Sequence, residues 1–199
     1  MAVQARTPSI RRAANSERQT VIDVIIDSFL DDALVCWAFP DPADRARLQG
    51  HFHRPLIEHP TSASYLVGHD EGASVWLTLA AGQSPHAEPA AGDGAVFGDS
   101  GARLQALGEV LVDRHPTDEP HRYLPCIGVR GDRRGTGLGS ALLRHGLASA
   151  DADGLAVYLE ASSARSRALY ARHGFVDLGE PVQVADSPTV WPMRRPPRR

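Results

Sequence analysis

Val129-Arg130-Gly131-Asp132-Arg133-Arg134-Gly135-Thr136-Gly137-Leu138-Gly139-Ser140 is the stretch of this sequence that decides its fold. An apolar segment, 123–130, precedes it and is predicted to be a strand, and a helix-forming sequence follows it. Backbone N–H groups at the start of a helix lie at the positive end of its dipole and bind phosphate groups. Three glycines within five positions let the backbone approach such a ligand with no Cβ in the way. Because Arg133 and Arg134 add positive charge, the stretch predicts a binding loop for a phosphorylated cofactor.

The spacing of the loop separates the known kinds of phosphate-binding motif. A P-loop requires Lys followed by Ser or Thr after its last glycine, and no Gly-Lys pair occurs in the loop. A dinucleotide fingerprint requires G-x-G-x-x-G, but Ser140 stands where the last glycine should be. The pattern that remains is Arg134-x-x-Gly137-x-Gly139, and taken alone it also fits a glycine-rich turn before an ordinary helix.

This pattern resembles the acyl-CoA-binding motif of the GCN5-related N-acetyltransferases (the GNAT family), Gln/Arg-x-x-Gly-x-Gly/Ala. The neighbouring segments follow the family's order over about residues 120–180. They are a strand ending in Ile127-Gly128-Val129, a helix, a buried strand at 155–161, a short helix at 163–173 that contains Tyr170, and Gly174-Phe175. The resemblance implies an α/β fold of the GNAT type. Its mixed central sheet has about six to seven strands flanked by helices, with a splay between the fourth and fifth strands.

The resemblance also implies the cofactor, acetyl-CoA. In the family the loop holds the pyrophosphate, the pantetheine arm lies in the splay, and backbone groups of the preceding strand bind it like an added strand. Ser166 stands where many relatives carry an Asn that contacts pantetheine. The cofactor-binding residues implied in this chain are Ile127, Gly128, Val129, Arg133, Arg134, Gly135, Thr136, Gly137, Leu138, Gly139, Ser140 and Ser166.

The implied chemistry is direct attack of a neutral amine on the acetyl thioester. The amine must lose a proton and the departing thiolate gains one, so the reaction benefits from a base and an acid. Tyr170 matches the family tyrosine beside the CoA sulfur and is the predicted acid, although a tyrosine here could also simply pack its helix onto the sheet. Glu160, at the end of a buried strand, is the predicted base, and a structural role as a hydrogen-bond acceptor fits it equally well. Glu109 and His121 are weaker candidates for the base.

The acceptor is sought in the rest of the chain. Short motifs resemble puromycin N-acetyltransferase-like small-molecule acetyltransferases, which implies a primary amine of a small molecule as acceptor, with antibiotic-like compounds among the candidates. They include Val75-Trp76-Leu77-Thr78, Glu119-Pro120, Leu159-Glu160-Ala161-Ser162 and Thr189-Val190-Trp191. The substrate-binding residues expected from the N-terminal half are Asp31, Asp32, Trp37 and Phe39, whose carboxylates attract an ammonium and whose rings hold an apolar body, unless the aromatics only pack the core. Two alternatives stay open: a protein lysine or N-terminal acetyltransferase, which predicts an open groove, and a non-catalytic acyl-CoA-binding module.

Composition fits one domain. We expect residues 1–199 to form a single acetyltransferase domain with flexible termini, as a monomer or a homodimer. A net charge of −3 and a pI near 6.3 argue against nucleic acid as a partner. Two cysteines provide no disulfide framework and fit the cytoplasm, and no apolar run approaches membrane-spanning length. The nine histidines show no zinc-site spacing, so no metal is predicted and they are interpreted as surface residues.

Hydrophobic periodicity and turn residues predict the remaining elements. Pro125 should mark an edge, a bulge or a separation of strands, because proline cannot donate to a sheet ladder. The expected elements are a strand at 9–12, a helix from Asn15 or Ser16 to about 30, a broken region at 31–44, a helix at 45–58, a hairpin of 65–68 and 74–79, a long loop at 80–99 and a helix at 100–114.

Overall fold

The computed structural model describes residues 8–85 and 96–198. Within them lies one seven-stranded sheet with the order β1-β2-β3-β4-β5-β7-β6. Its β4–β5 pair is parallel and its other pairs are antiparallel, so the sheet is mixed as expected. The strands are β1 (Ile10–Arg12), β2 (Ser62–Val67), β3 (Gly72–Leu79), β4 (His121–Val129), β5 (Ala156–Ala161), β6 (Val176–Asp177) and β7 (Trp191–Arg195).

Helices cover both faces of this sheet. Those described are α1 (Arg18–Phe29), α2 (Ala33–Ala38), α3 (Pro42–Glu58), α4 (Ser100–Arg114), α5 (Leu138–Ala152) and α6 (Ala164–Arg172). The apolar stripes of α1 and α3 pack on one face, against β2, β3 and β4. The opposite face packs against α5 and α6. This arrangement is the α/β fold that the sequence predicts.

A glycine fixes how closely α5 approaches the sheet. Gly146 lies over the buried ring of Trp76 on β3, and a Cβ at this glycine would stand 2.1 Å from Trp76 Cζ2. A real Cβ never comes so close to an aromatic carbon, so only glycine allows the observed packing. The close approach sets the position of the helix whose N-terminus carries the glycine-rich loop.

The predicted splay between the fourth and fifth strands is present. β4 pairs with β5 only from His121 to Tyr123, opposite Ala156 to Tyr158. Further along, from Leu159 to Ala161, β5 keeps only its pairing with β7, which lies on its other edge. Pro125 lies just past the last pair, in a bulge where two residues of β4 stand opposite the single Trp76 of β3. Of the three alternatives for this proline, the structure shows a bulge and a separation of strands.

The remaining elements agree with prediction except in one region. The helix at 100–114 has the expected bounds, and the hairpin is formed by β2 and β3. The broken region at 31–44 was wrong in part: it contains α2, and α3 begins at Pro42 rather than at residue 45. Asp32 and Asp41 cap these two helices with their side chains. An Asp N-cap is a helix-start signal, and the nearby prolines and aromatic residues led to the prediction of irregular structure instead. Half of the predicted loop, 86–95, lies outside the described residues. Among the described helices, none is long and apolar enough to cross a membrane.

Candidate active site

The glycine-rich loop joins β4 to α5 and ends in a helix N-terminus. Gly135 and Gly137 have φ angles of +81° and +87°, in the left-handed region that favours glycine. Gly137 is the N-cap, and the N–H of Ala141 makes the bond back to its carbonyl at 3.0 Å. The N–H groups of residues 138–140 therefore have no partner within the helix. Residues 131–137 are exposed and residues 139 and 140 are half-buried, so an anion can reach the start of this helix.

The arginines of the loop are held by protein groups. Arg133 forms an ion pair with Glu71 at the β2–β3 hairpin, and Arg134 donates to the carbonyl of Ser28 at 2.6 Å. Thr136 donates to the carbonyl of Arg133, also at 2.6 Å. These contacts fix the loop on the hairpin and on the last turn of α1. Phosphate binding by the two arginines stays a prediction.

The splay leaves part of β4 with one unpaired edge. From Ile127 to Val129 the strand pairs with β3 on one side, while β5 has already turned away on the other. No strand covers this second side in the part of the chain that the structure describes. Backbone groups at such an edge can bind an extended ligand as if it were an added strand. Packing also requires a glycine at position 128, since a Cβ there would stand 2.4 Å from Ser28 Cβ on α1.

Tyr170 lies on the buried face of α6, beside the splay. It is 8% exposed, and its ring packs on Phe175 at a centroid distance of 5.8 Å. Burial raises the pKa of its phenol, and the nearby Cys126 and Asp32 add to the rise. The hydroxyl therefore stays protonated at neutral pH and can act only as a donor of its proton.

Glu160 points into the same region from β5. Its side chain is 10% exposed, and its Oε2 accepts a hydrogen bond of 2.8 Å from the hydroxyl of Tyr123 on β4. Its Oε1 has no hydrogen-bond partner among the described residues. Burial raises the pKa of Tyr123 and the Glu160 carboxylate adds to the rise, so Tyr123 remains the donor in this pair. One carboxylate oxygen is thus held, and the other is free.

Three histidines correct the interpretation of all nine as surface residues. His53, His115 and His121 are buried, at 6%, 5% and 1% exposure. Their positions on a helix face, a helix C-cap and a strand bury them when the sheet forms. Burial, with His115 adding to it, lowers the pKa of His121 to about 4, so this imidazole is neutral at pH 7. Glu109, the other weaker candidate for the base, lies exposed on α4 and bonds Gln105.

The four residues predicted to bind the acceptor have different surroundings. Asp32 caps α2 with one carboxylate oxygen, and its other oxygen accepts from Ser162, directly after β5, at 3.2 Å. Trp37 donates to Asp186 at 2.9 Å. Phe39 is 2% exposed and stacks on Phe97 in the core, and Asp31 is exposed. The structure therefore brings Asp32 to the end of β5 and gives Phe39 a packing role.

Sequence reasoning missed two polar residues on the buried face of α3. Gln49 is fully buried, and neither its carboxamide nitrogen nor its oxygen has a partner among the described residues. His53, one turn later, approaches Cys126 Sγ on β4 at 3.3 Å, while its Nε2 has no partner there. Burial lowers the pKa of His53 to about 4 and raises that of Cys126 to about 12, so both are neutral. Polar residues four apart on an otherwise apolar helical stripe were the available signal.

Ser166 has a local function. Its hydroxyl and that of Ser163 form the capping box at the start of α6, with bonds of 2.9 to 3.1 Å. Contact with pantetheine stays a prediction. Across residues 8–85 and 96–198, no group of three or more His, Cys, Asp or Glu side chains is arranged to hold a metal ion.

Comparison with known proteins completes the description of the site. The acetyltransferase (GNAT) family model matches residues 26–175, more than half of the chain. The structure is similar to that of histone acetyltransferase HPA2 and related acetyltransferase from Corynebacterium glutamicum, with 28% identity and a TM-score of 0.71 over 97% of this chain and 98% of that one.

Two more distant structures share the fold alone. Arylalkylamine N-acetyltransferase 2 from Aedes aegypti is 12% identical, with a TM-score of 0.61 over 96% of this chain and 99% of that one. The ribosomal-protein-S18-alanine N-acetyltransferase from Escherichia coli is 14% identical, with a TM-score of 0.56 over 95% and 93%. By their names the Aedes aegypti enzyme acts on a small amine and the Escherichia coli enzyme acts on a protein, so the shared fold does not determine the class of acceptor.

Proposed function

Since the chain belongs to the acetyltransferase (GNAT) family and is an acyltransferase enzyme, we propose that it transfers the acetyl group of acetyl-CoA to a primary amine of a small, antibiotic-like molecule. The observation that carries this proposal is the burial of the candidate reacting groups. Glu160, Tyr123 and Tyr170 are each at most 10% exposed. A small molecule can be enclosed among such groups, whereas a lysine on a folded protein or a peptide end requires an open groove.

The cofactor has a place along the loop and the splay. The free N–H groups at the start of α5 bind the pyrophosphate, and the unpaired edge of β4 at 127–129 binds the pantetheine arm. This placement brings the thioester between the ends of β4 and β5. Tyr170 on α6 and Glu160 on β5 then face it from two sides.

In the proposed reaction the amine nitrogen attacks the thioester carbon, a C–N bond forms and the C–S bond breaks. The proton lost by the amine goes to the free Oε1 of Glu160, the oxygen that Tyr123 does not hold. The leaving thiolate takes the phenolic proton of Tyr170, and the proton taken up by Glu160 returns through solvent to Tyr170 before the next turnover. Each residue therefore meets one of the two proton requirements, and general acid–base catalysis of this kind contributes typically about 10² to 10⁴ in rate.

The acceptor is recognised on the α1–α3 face of the sheet. The carboxylates of Asp32 and Glu160 attract its ammonium group. Gln49 and His53 offer neutral, unpartnered polar atoms, and leaving such buried atoms without partners costs about 1–3 kcal/mol each. An acceptor that carries a neutral polar group, such as an amide or a hydroxyl, beside its amine provides these partners.

The experiment measures release of CoA from acetyl-CoA with a panel of aminonucleosides and polyamines, and then tests variants with the best acceptor. We expect Glu160→Gln and Tyr170→Phe each to lower kcat by about 10²-fold or more, with the Kd for acetyl-CoA unchanged. Tyr65→Phe, which removes the hydroxyl of a ring that meets His145 edge-on, serves as the matched control. Full activity of Glu160→Gln and Tyr170→Phe with every acceptor would exclude the proposed roles.

A further inference from the structure

A cavity of about 270 Å³ lies where β1 leads into α1, and its walls also come from the end of α3 and the start of β2. Ser62 begins β2 at this cavity, whereas the hairpin that holds the glycine-rich loop follows the other end of β2. Arg18 begins α1 here, and Ser28, which packs against Gly128, lies ten residues later on the same helix. Ten residues of α-helix span about 15 Å, so the cavity is separate from the proposed cofactor site.

Two arginines that line this cavity lack a carboxylate partner. The adjacent Arg11 on β1 is neutralised by an ion pair with Glu17 at 2.7 Å. Arg12 forms no ion pair with a described residue, and the contact of Arg18 is a bond of 3.5 Å to the side-chain oxygen of Asn15. Both guanidinium groups are exposed to solvent and permanently cationic. They therefore attract an anion to the cavity.

Two neutral donors add to the lining. The hydroxyl oxygen of Ser62 is buried, with no hydrogen-bond partner among the described residues, which is unfavourable until a ligand supplies one. His59, the C-cap of α3, accepts the backbone N–H of Thr61 at its Nδ1, at 3.2 Å, so the proton of a neutral ring lies on Nε2. Glu58 is the one carboxylate among the described lining residues, and it pairs with Arg54 at 3.6 Å.

This lining favours a phosphate group over a carboxylate. The two oxygens of a carboxylate lie in one plane, and the fork of a single arginine satisfies both. The terminal oxygens of a phosphate point in several directions, which matches donors that come from β1, α1, α3 and β2.

The size of the cavity limits the rest of the ligand. Sites for drug-sized molecules enclose about 300–1,000 Å³, and this cavity is slightly smaller. It therefore fits a phosphate on a short carbon chain better than a nucleotide. We propose that the cavity is a second ligand site of the protein, which binds a small organic phosphate through Arg12, Arg18, His59 and Ser62.

The test is calorimetric titration of the full chain with glycerol 3-phosphate at constant ionic strength. We expect the Arg12→Gln/Arg18→Gln double variant to bind at least tenfold more weakly than wild type, because charge-assisted hydrogen bonds are lost. The matched control, Arg47→Gln/Arg172→Gln, removes two exposed charges elsewhere and should bind like wild type. Equal affinity of the two double variants, or no binding by wild type, would overturn the proposal.

Two further measurements test whether the site is specific. Succinate, a small dianion with carboxylates only, should bind wild type at least tenfold more weakly than glycerol 3-phosphate, and equal affinity would overturn the choice of a phosphate. The Kd for acetyl-CoA should be the same in Arg12→Gln/Arg18→Gln and wild type. A large loss of acetyl-CoA binding in this variant would place the two arginines in the cofactor site instead and overturn a second site.

Discussion

Replacing Gly137 with alanine tests whether the glycine-rich loop is held by backbone conformation. Gly137 has a φ of +87°, and a Cβ there would meet nothing within 4 Å in the part of the chain that the structure describes. Gly137→Ala therefore adds no clash, and its cost is the strain of a left-handed residue with a side chain, about 1–2 kcal/mol.

Gly139→Ala is the matched control, two residues away. Gly139 has ordinary helical backbone, and its Cβ would make only a van der Waals contact of 3.6 Å with Val129. Alanine in a helix is more stable than glycine by about 0.5–1 kcal/mol. The free energies of unfolding of the two variants should therefore differ by about 2 kcal/mol, measured by urea denaturation.

The same pair also tests cofactor binding by calorimetric titration with acetyl-CoA. Relaxation of the strained loop in Gly137→Ala moves the N–H groups of residues 138–140. We therefore expect this variant to bind acetyl-CoA more weakly, by tenfold for a loss of about 1.4 kcal/mol of interaction. Gly139→Ala should bind acetyl-CoA close to the wild-type affinity, since alanine occupies this position of the motif. Equal stability and equal affinity of the two variants would refute the reasoning.

Three further predictions concern the face of the sheet that holds the acceptor. The pKa values of His53 and His121 lie at about 4 in the folded protein and near 6.5 in the unfolded chain, so the unfolded chain binds more protons between these values and stability falls as the pH drops through that window. Each histidine should lower the free energy of unfolding by about 2 kcal/mol at pH 5. In urea denaturation, a His53→Leu variant should lose less stability than wild type between pH 7 and pH 5. Gly128→Ala should lower the free energy of unfolding by about 1–3 kcal/mol through its contact with Ser28, and a thermal midpoint equal to that of wild type would contradict this. Gln49→Leu should raise the KM for the acceptor about tenfold without changing the Kd for acetyl-CoA, and an unchanged KM would remove Gln49 from the acceptor site.

The loop could be predicted from sequence because its signals are local, and the splay followed from the family resemblance, with which a proline in β4 is compatible. Glycines with positive φ and the residues that begin a helix lie within a few positions of one another, and Pro125 by itself indicated an edge, a bulge or a strand separation. The chain N-terminal to the loop was harder. The N-cap Asp32 begins a helix of only six residues, which is too short for a periodic pattern to develop.

The polar interior of the site could not be read from the sequence. The bond between Tyr123 and Glu160 joins residues 37 positions apart, and it depends on the parallel register of β4 and β5. Whether His115 is buried depends on the same register, because the strands enclose a residue that is formally a helix C-cap. Gln49 shows the general reason: helical spacing indicates which face is buried, but not which buried side chain lacks a partner.

The most direct test of the central claim compares acceptor classes with the wild-type enzyme. CoA release is measured with acetyl-CoA and, in parallel, small primary amines that carry a neutral polar group, a lysine-containing peptide and a peptide with a free N-terminus. A site enclosed around Glu160 and Tyr170 predicts a kcat/KM for the best small amine at least tenfold above that for either peptide. A peptide that equals or exceeds every small amine would contradict the account.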